Sequence, residues 1–234
     1  MPSETVQRLR QQLREKFPAA HGPGSPPGAG PVGLPAASCP DGSPDLPTDS
    51  LPSSLDLRHF PQGAITEISP AHPACGLSLF FAALLAGDSS GRQPASPSSP
   101  LVLIDARDRF DPASFTPEAC ARLLWLRCRE TRQALQAADL LLRDGNLPFV
   151  LLDLSALPAR ELRRIPTAAW HRLRQLAEGS ACTLLALTPA PLVPRAALRL
   201  TLTREFSLQH LELSRDELFS SLQSTTTRRH ARTA

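Results

Sequence analysis

Two short apolar runs, LVLID at 101–105 and PFVLLD at 148–153, each end on a carboxylate. Runs without polar alternation read as strands covered on both faces, as in a parallel sheet. A third unit, GAITEISPAHPACGLSL at 63–79, passes from a strand containing Ile65 and Ile68 through a loop into an apolar helix over Leu77–Leu85. Helical patterns at Thr131–Arg143 and 166–177 alternate with strand-like runs at Leu123–Arg127, 182–187 and 197–203. This alternation predicts an α/β fold, a parallel sheet flanked by helices. On the 131–143 helix, Leu135, Ala138 and Leu142 are expected to face inward. Ligand chemistry in such folds lies beyond the carboxyl ends of the strands. Those ends carry Ser69–Gly76, Asp105 and Asp153.

The loop of the 63–79 unit has the setting of a phosphate-binding loop without its chemistry. Such a loop, G-x-x-x-x-G-K-[ST], uses glycines for close backbone approach, a Lys to neutralise phosphate and a hydroxyl to hold Mg²⁺. The positions that would read Gly-Lys-Ser/Thr read Cys75-Gly76-Leu77. A nucleotide-hydrolase scaffold in another use is implied, with no cofactor and no catalytic residue expected.

Composition sets the outer limits. The 25 prolines in 234 residues cluster. Residues 18–56 are rich in Pro, Gly, Ser and Ala and read as a disordered linker, because so little apolar surface cannot offset the entropy of ordering. Ahead of it, residues 1–17 read as an amphipathic helix with Val6, Leu9, Leu13 and Phe17 on one face, a candidate partner-binding surface. The main domain is expected over 57–222, interrupted by a low-complexity loop at 87–100, and 223–234 reads as a disordered basic tail. Five cysteines lack C-x-x-C spacing and three sit in apolar surroundings, which predicts reduced core residues there and no metal site. No apolar run reaches the length of a membrane span, and the first residues lack a signal-peptide core. A cytoplasmic protein without membrane contact is expected.

The formal charge of +3 does not by itself imply nucleic acid, and Lys16 is the only lysine. Arginine suits interface ion pairs, although GC-rich coding gives the same bias. Arg160, Arg163, Arg164, Arg172 and Arg174, beside Trp170 and His171, are candidates for contact with DNA or an acidic partner. The competing reading is a solvated helix face. His72 and Cys75 read as structural.

Three segments in order, GAITEIS, LVLIDARDRFDP at 101–112 and RQALQAADLLLRDGNLPFVLLDLSAL at 132–157, resemble the ATPase core of bacterial RecA. The resemblance covers about Leu57 to Arg204. Its most specific part is Asp105-Ala106 followed by Asp111-Pro112, and its third segment ends in the metal-side carboxylate, here Asp153. The departures are as informative. Gly76 and Leu77 stand where the Lys and hydroxyl belong, and Arg107 replaces the catalytic carboxylate that follows the Asp-Ala pair. A cation there cannot orient water for attack on a γ-phosphate. After the strand at 182–187, Thr188-Pro189 and the short APLVPRA stand where RecA has a nucleotide-sensing Gln and a long DNA-binding loop.

With these losses the chain resembles the ImuA family, RecA- and SulA-like accessory proteins of translesion DNA synthesis. That resemblance implies a catalytically inactive adaptor in SOS mutagenesis. It would bind RecA and an ImuB-type Y-family polymerase homologue, and reach an error-prone replicative-type polymerase indirectly. Asp105 and Asp153 would be vestigial carboxylates, satisfied by backbone N–H groups or an arginine. Arg107 is read either as a plain solvated arginine or as a cation that enters the old catalytic site and pairs with one of them. The alternatives are an ATP-binding regulator of the RecA superfamily and a SulA-type inhibitor of cell division.

Overall fold

The computed structural model describes residues 60–86 and 101–228. The expected helix at 1–17, with Val6, Leu9, Leu13 and Phe17, and the expected linker at 18–56 lie outside them. Seven strands form one sheet in the order β3-β2-β4-β5-β1-β6-β7. They are β1 Ile65–Pro70, β2 Leu101–Asp105, β3 Leu123–Arg127, β4 Phe149–Asp153, β5 Thr183–Leu187, β6 Leu198–Leu202 and β7 Ser224–Arg228. All neighbours are parallel except β6 and β7. The parallel-sheet α/β core therefore forms as the carboxylate-ended runs predict, with β1, β2 and β5 buried along their whole length.

Six helices accompany the sheet among the described residues: α1 Leu77–Ala86, α2 Pro117–Ala121, α3 Thr131–Asp144, α4 Ala159–Leu162, α5 Thr167–Ser180 and α6 Arg215–Ser220. On one face, Phe80, Leu84 and Leu85 of α1 pack with Ile68, Leu103, Leu151, Leu185 and Leu200. Alternate strand residues point the other way. There α3 lies against β2, β4 and α5, burying Ala134, Ala138, Leu141 and Leu142, with Trp170, Leu173 and Ala177 from α5. Leu135, expected inside, is only half-buried, because the inward stripe of α3 centres on Ala134 and Leu141. Gly145 ends α3 at φ +69°, a left-handed cap that costs glycine little.

The C-terminal boundary differs from the expectation. Ser224–Arg228 is not a disordered tail but a strand, antiparallel to β6 from Leu202↔Ser224 to Leu198↔Arg228. Its sequence, STTTR, is β-branched and satisfies the open edge of β6. Among the described residues no helix is long and apolar enough to cross a membrane.

Candidate functional site

The loop from β1 to α1 is held by the chain's own C-terminal segment. Ala71 N–H donates to the Leu202 carbonyl at 2.8 Å, and Phe206 N–H donates to the Ala74 carbonyl at 3.0 Å. Within the loop, Cys75 N–H reaches the His72 carbonyl, and Phe80 N–H closes the first turn of α1 on Gly76. His72 also pairs with Glu205 at 3.6 Å, an exposed contact worth little. Gly76 adopts φ +73°, and a Cβ there would stand 2.8 Å from both Leu222 Cδ2 and Phe206 Cε2. Cys75 and Leu222 are fully buried. A phosphate-binding loop presents open N–H groups and a cation at this place. This one carries apolar side chains packed against its glycine.

The two carboxylates accept hydrogen bonds from backbone and side-chain groups close around them. Asp105, 1% exposed, accepts from the N–H groups of Arg107 (3.1 Å) and Phe110 (2.8 Å) and from Trp125 Nε1 (3.3 Å). It thereby organises the turn 105–110, in which Asp108 takes φ +55°. Asp153, beside Asp105 in the sheet, accepts from Ser155 N–H (2.9 Å) and Ser155 Oγ (2.6 Å). Burial pushes the Asp153 carboxyl above its ordinary range, assisted by the Asp105 charge and opposed by the Ser155 hydrogen bonds and Arg109.

That direction has a stability consequence. The folded chain binds the Asp153 proton more tightly than the unfolded chain, so this group favours folding most at low pH. Its contribution is lost as pH rises from the unfolded carboxyl range through the raised folded value. Asp153→Asn keeps an acceptor for Ser155 and removes the charge. The variant is expected to melt above the wild type at pH 7, with the advantage gone near about pH 3. Melting curves at the two pH values check this, and a lower Tm for the variant at pH 7 would show that the charge itself is in use.

The Arg107 side chain pairs with neither carboxylate. Only its backbone N–H reaches Asp105; its guanidinium pairs with Glu161, which also accepts from Thr131 Oγ1. Of the two readings, an ion pair with Asp105 or Asp153 and a solvated arginine, the first is therefore corrected, and the guanidinium sits partly exposed on Glu161. Asp105 already has three N–H donors, and Glu161 is a partner nearer solvent. The bridge draws the turn 105–110, the start of α3 and α4 together at the carboxyl ends of the strands. Beside them Arg127 pairs with Asp108 and stacks over Trp125 at 4.8 Å. The Arg127 guanidinium, with Arg129 farther off, holds the Asp108 carboxyl below its usual range.

The arginine set expected near DNA or an acidic partner divides. Arg172 pairs with Asp139, which also holds Arg143 at 3.0 Å, and Arg174 lies 3.7 Å from Glu178 on its own helix. Trp170 is buried at 4% exposure and belongs to the core of α5. Arg160, Arg163 and Arg164 are exposed and have no ion-pair partner among the described residues.

Sequence reasoning missed Glu67. It is wholly buried in β1, where Oε1 accepts from Thr188 Oγ1 (3.0 Å) and the N–H groups of Leu192 (2.6 Å) and Val193 (2.8 Å). Its Oε2 accepts from Arg199 Nε at 2.7 Å, and Arg199 also donates to the Val193 carbonyl at 3.0 Å. The β5–β6 connection is thus stapled to the middle of the sheet. The signal in the sequence was one charge inside each of two strands, ITEISP and LRLTL.

Among solved structures, the chain is similar to the crystal structure of the RadB recombinase, at 15% sequence identity and a TM-score of 0.45, over 63% of this chain and 78% of that chain. No family model matches, and no curated protein matches.

Proposed function

We propose that this chain is a RecA-like adaptor of translesion DNA synthesis that works through protein contacts and turns over no nucleotide. The observation that carries the reading is the packing of Phe206 and Leu222 against Gly76, in a loop that also lacks the Lys and the hydroxyl. Two further features support it. Arg107 stands at the catalytic carboxylate's position and is committed to Glu161. The β5–β6 connection, where the resemblance would put a long DNA-binding loop, is short and pinned by Glu67.

The partners of this reading are RecA and an ImuB-type polymerase homologue, with the segment 1–17 as the RecA-binding element. Calorimetric titration with ATP and Mg²⁺ is expected to show no saturable binding, whereas capture by immobilised RecA and by the polymerase homologue is expected. Replacing Leu9 and Leu13 by Asp should abolish RecA capture. Micromolar ATP binding would favour the nucleotide-binding regulator, and turnover would end the adaptor reading.

A further inference from the structure

The bridges Arg107–Glu161 and Glu161–Thr131 bring three segments to one rim of the sheet: the turn 105–110, the chain after β3, and α4 with the residues that follow it. Cys128 N–H, donating to the Asp105 carbonyl at 2.8 Å, fixes the second beside the first. Arg109, Arg129, Arg160, Arg163 and Arg164 are exposed on these segments. None has an ion-pair partner among the described residues. Residues three and four apart share a helix face. In the turns around α4, where Arg163 N–H bonds the Ala159 carbonyl and Arg164 N–H that of Glu161, Arg160, Arg163 and Arg164 therefore fan outward while Leu162 is buried.

We propose that this rim docks an acidic polypeptide segment. The inference rests on the adaptor reading for expecting a protein partner and adds where that partner sits and what chemistry it brings. The rim is basic but not of one sign. Asp111 and Glu130 are exposed on the same segments, and Asp108 and Glu161 stand between the arginines as fixed partners of Arg127 and Arg107. A continuous phosphate backbone would run against those carboxylates. An acidic peptide, with its charges spaced along the chain, can place a carboxylate at each free guanidinium and pass the acidic positions with neutral residues. Arginine forks also match carboxylates in bidentate geometry, which gives register as well as attraction.

The test uses the full chain, without nucleotide, and fluorescence anisotropy of a labelled peptide of alternating Glu and Ser residues. Saturable binding that weakens with added salt is expected. The triple variant Arg160→Ala, Arg163→Ala, Arg164→Ala should bind at least about tenfold more weakly, as loss of three rim charge pairs implies. Arg172→Ala with Arg174→Ala, which removes arginines already paired with Asp139 and Glu178, should bind as the wild type does. Should the triple variant fail to fold, Arg109→Glu with Arg129→Glu on the other side of the rim must give the same loss. The proposal is overturned by no peptide binding, by equal loss in the Arg172/Arg174 variant, or by tighter binding of a charge-matched single-stranded DNA. Because nucleotide is absent throughout, such a failure leaves the ATP titration, and with it the adaptor reading, to be judged separately.

Discussion

Exchanging Arg199 for Met is expected to destabilise the chain by about 3 kcal/mol, the low end for breaking a buried pair because the arginine is partly exposed. Glu67 itself has no exposure. Without Arg199 its charge would remain in the sheet with only three neutral donors from Thr188, Leu192 and Val193. At this chain length the loss should appear as a fall in Tm of roughly 6–12 °C. Glu67→Ala should cost at least as much, because it orphans two backbone N–H groups together with the arginine. The double variant Glu67→Gln with Arg199→Met removes both charges and keeps an acceptor for the loop. It is expected to be more stable than Arg199→Met alone, a non-additivity that marks a direct pair. An Arg199→Met protein within about 1 kcal/mol of the wild type would show that the carboxylate is not held as a buried charge.

This staple bears on function through the segment it closes. Residues Leu192 and Val193 turn their N–H groups inward to Glu67, and Arg199 grips the Val193 carbonyl from the neighbouring strand. The Leu192 and Val193 N–H groups, spent on the protein interior, are not offered to a nucleic acid. The same holds at the carboxyl ends of β2 and β4, where Asp105 and Asp153 accept N–H groups of the chain itself. The polar atoms at these strand ends are thus used for rigidity, while Arg160, Arg163 and Arg164 stay exposed.

Local chemistry made the sheet legible from sequence. LVLID and PFVLLD have no polar face, so only a doubly covered strand suits them, and β2 and β4 form there. That Cys75-Gly76-Leu77 offers neither a Lys nor a hydroxyl could also be read directly. What covers the loop could not, because Phe206 and Leu222 reach Gly76 from the far end of the chain and neither belongs to a motif. The Arg107 partner was hidden for a related reason. Asp105 was close in sequence, but its acceptor sites were taken by Arg107 and Phe110 N–H groups and by Trp125, so the side chain turned to Glu161. STTTR, polar and near the terminus, reads as a strand only once the edge of β6 is available to pair with it.

The second large effect is expected at Gly76. Gly76→Val should destabilise the chain by about 2–4 kcal/mol, the sum of placing a β-branched residue in the left-handed region and of overpacking a filled site. The two penalties can be separated. Adding Leu222→Ala relieves the 2.8 Å contact at Cδ2 but leaves φ at +73°, so the pair should lose less than the two single costs combined. Leu222→Ala alone should itself cost about 2–3 kcal/mol, because the side chain is fully buried. A functional loop kept for phosphate would answer differently. Its glycine would face an open cradle, and Gly76→Val would be relieved neither by Leu222→Ala nor by Phe206→Leu. Denaturant titration of the single and double variants measures these terms. Additive losses at positions 76 and 222 would mean that the C-terminal segment does not press on the loop in solution, and the packing argument for a nucleotide-free adaptor would fall with it.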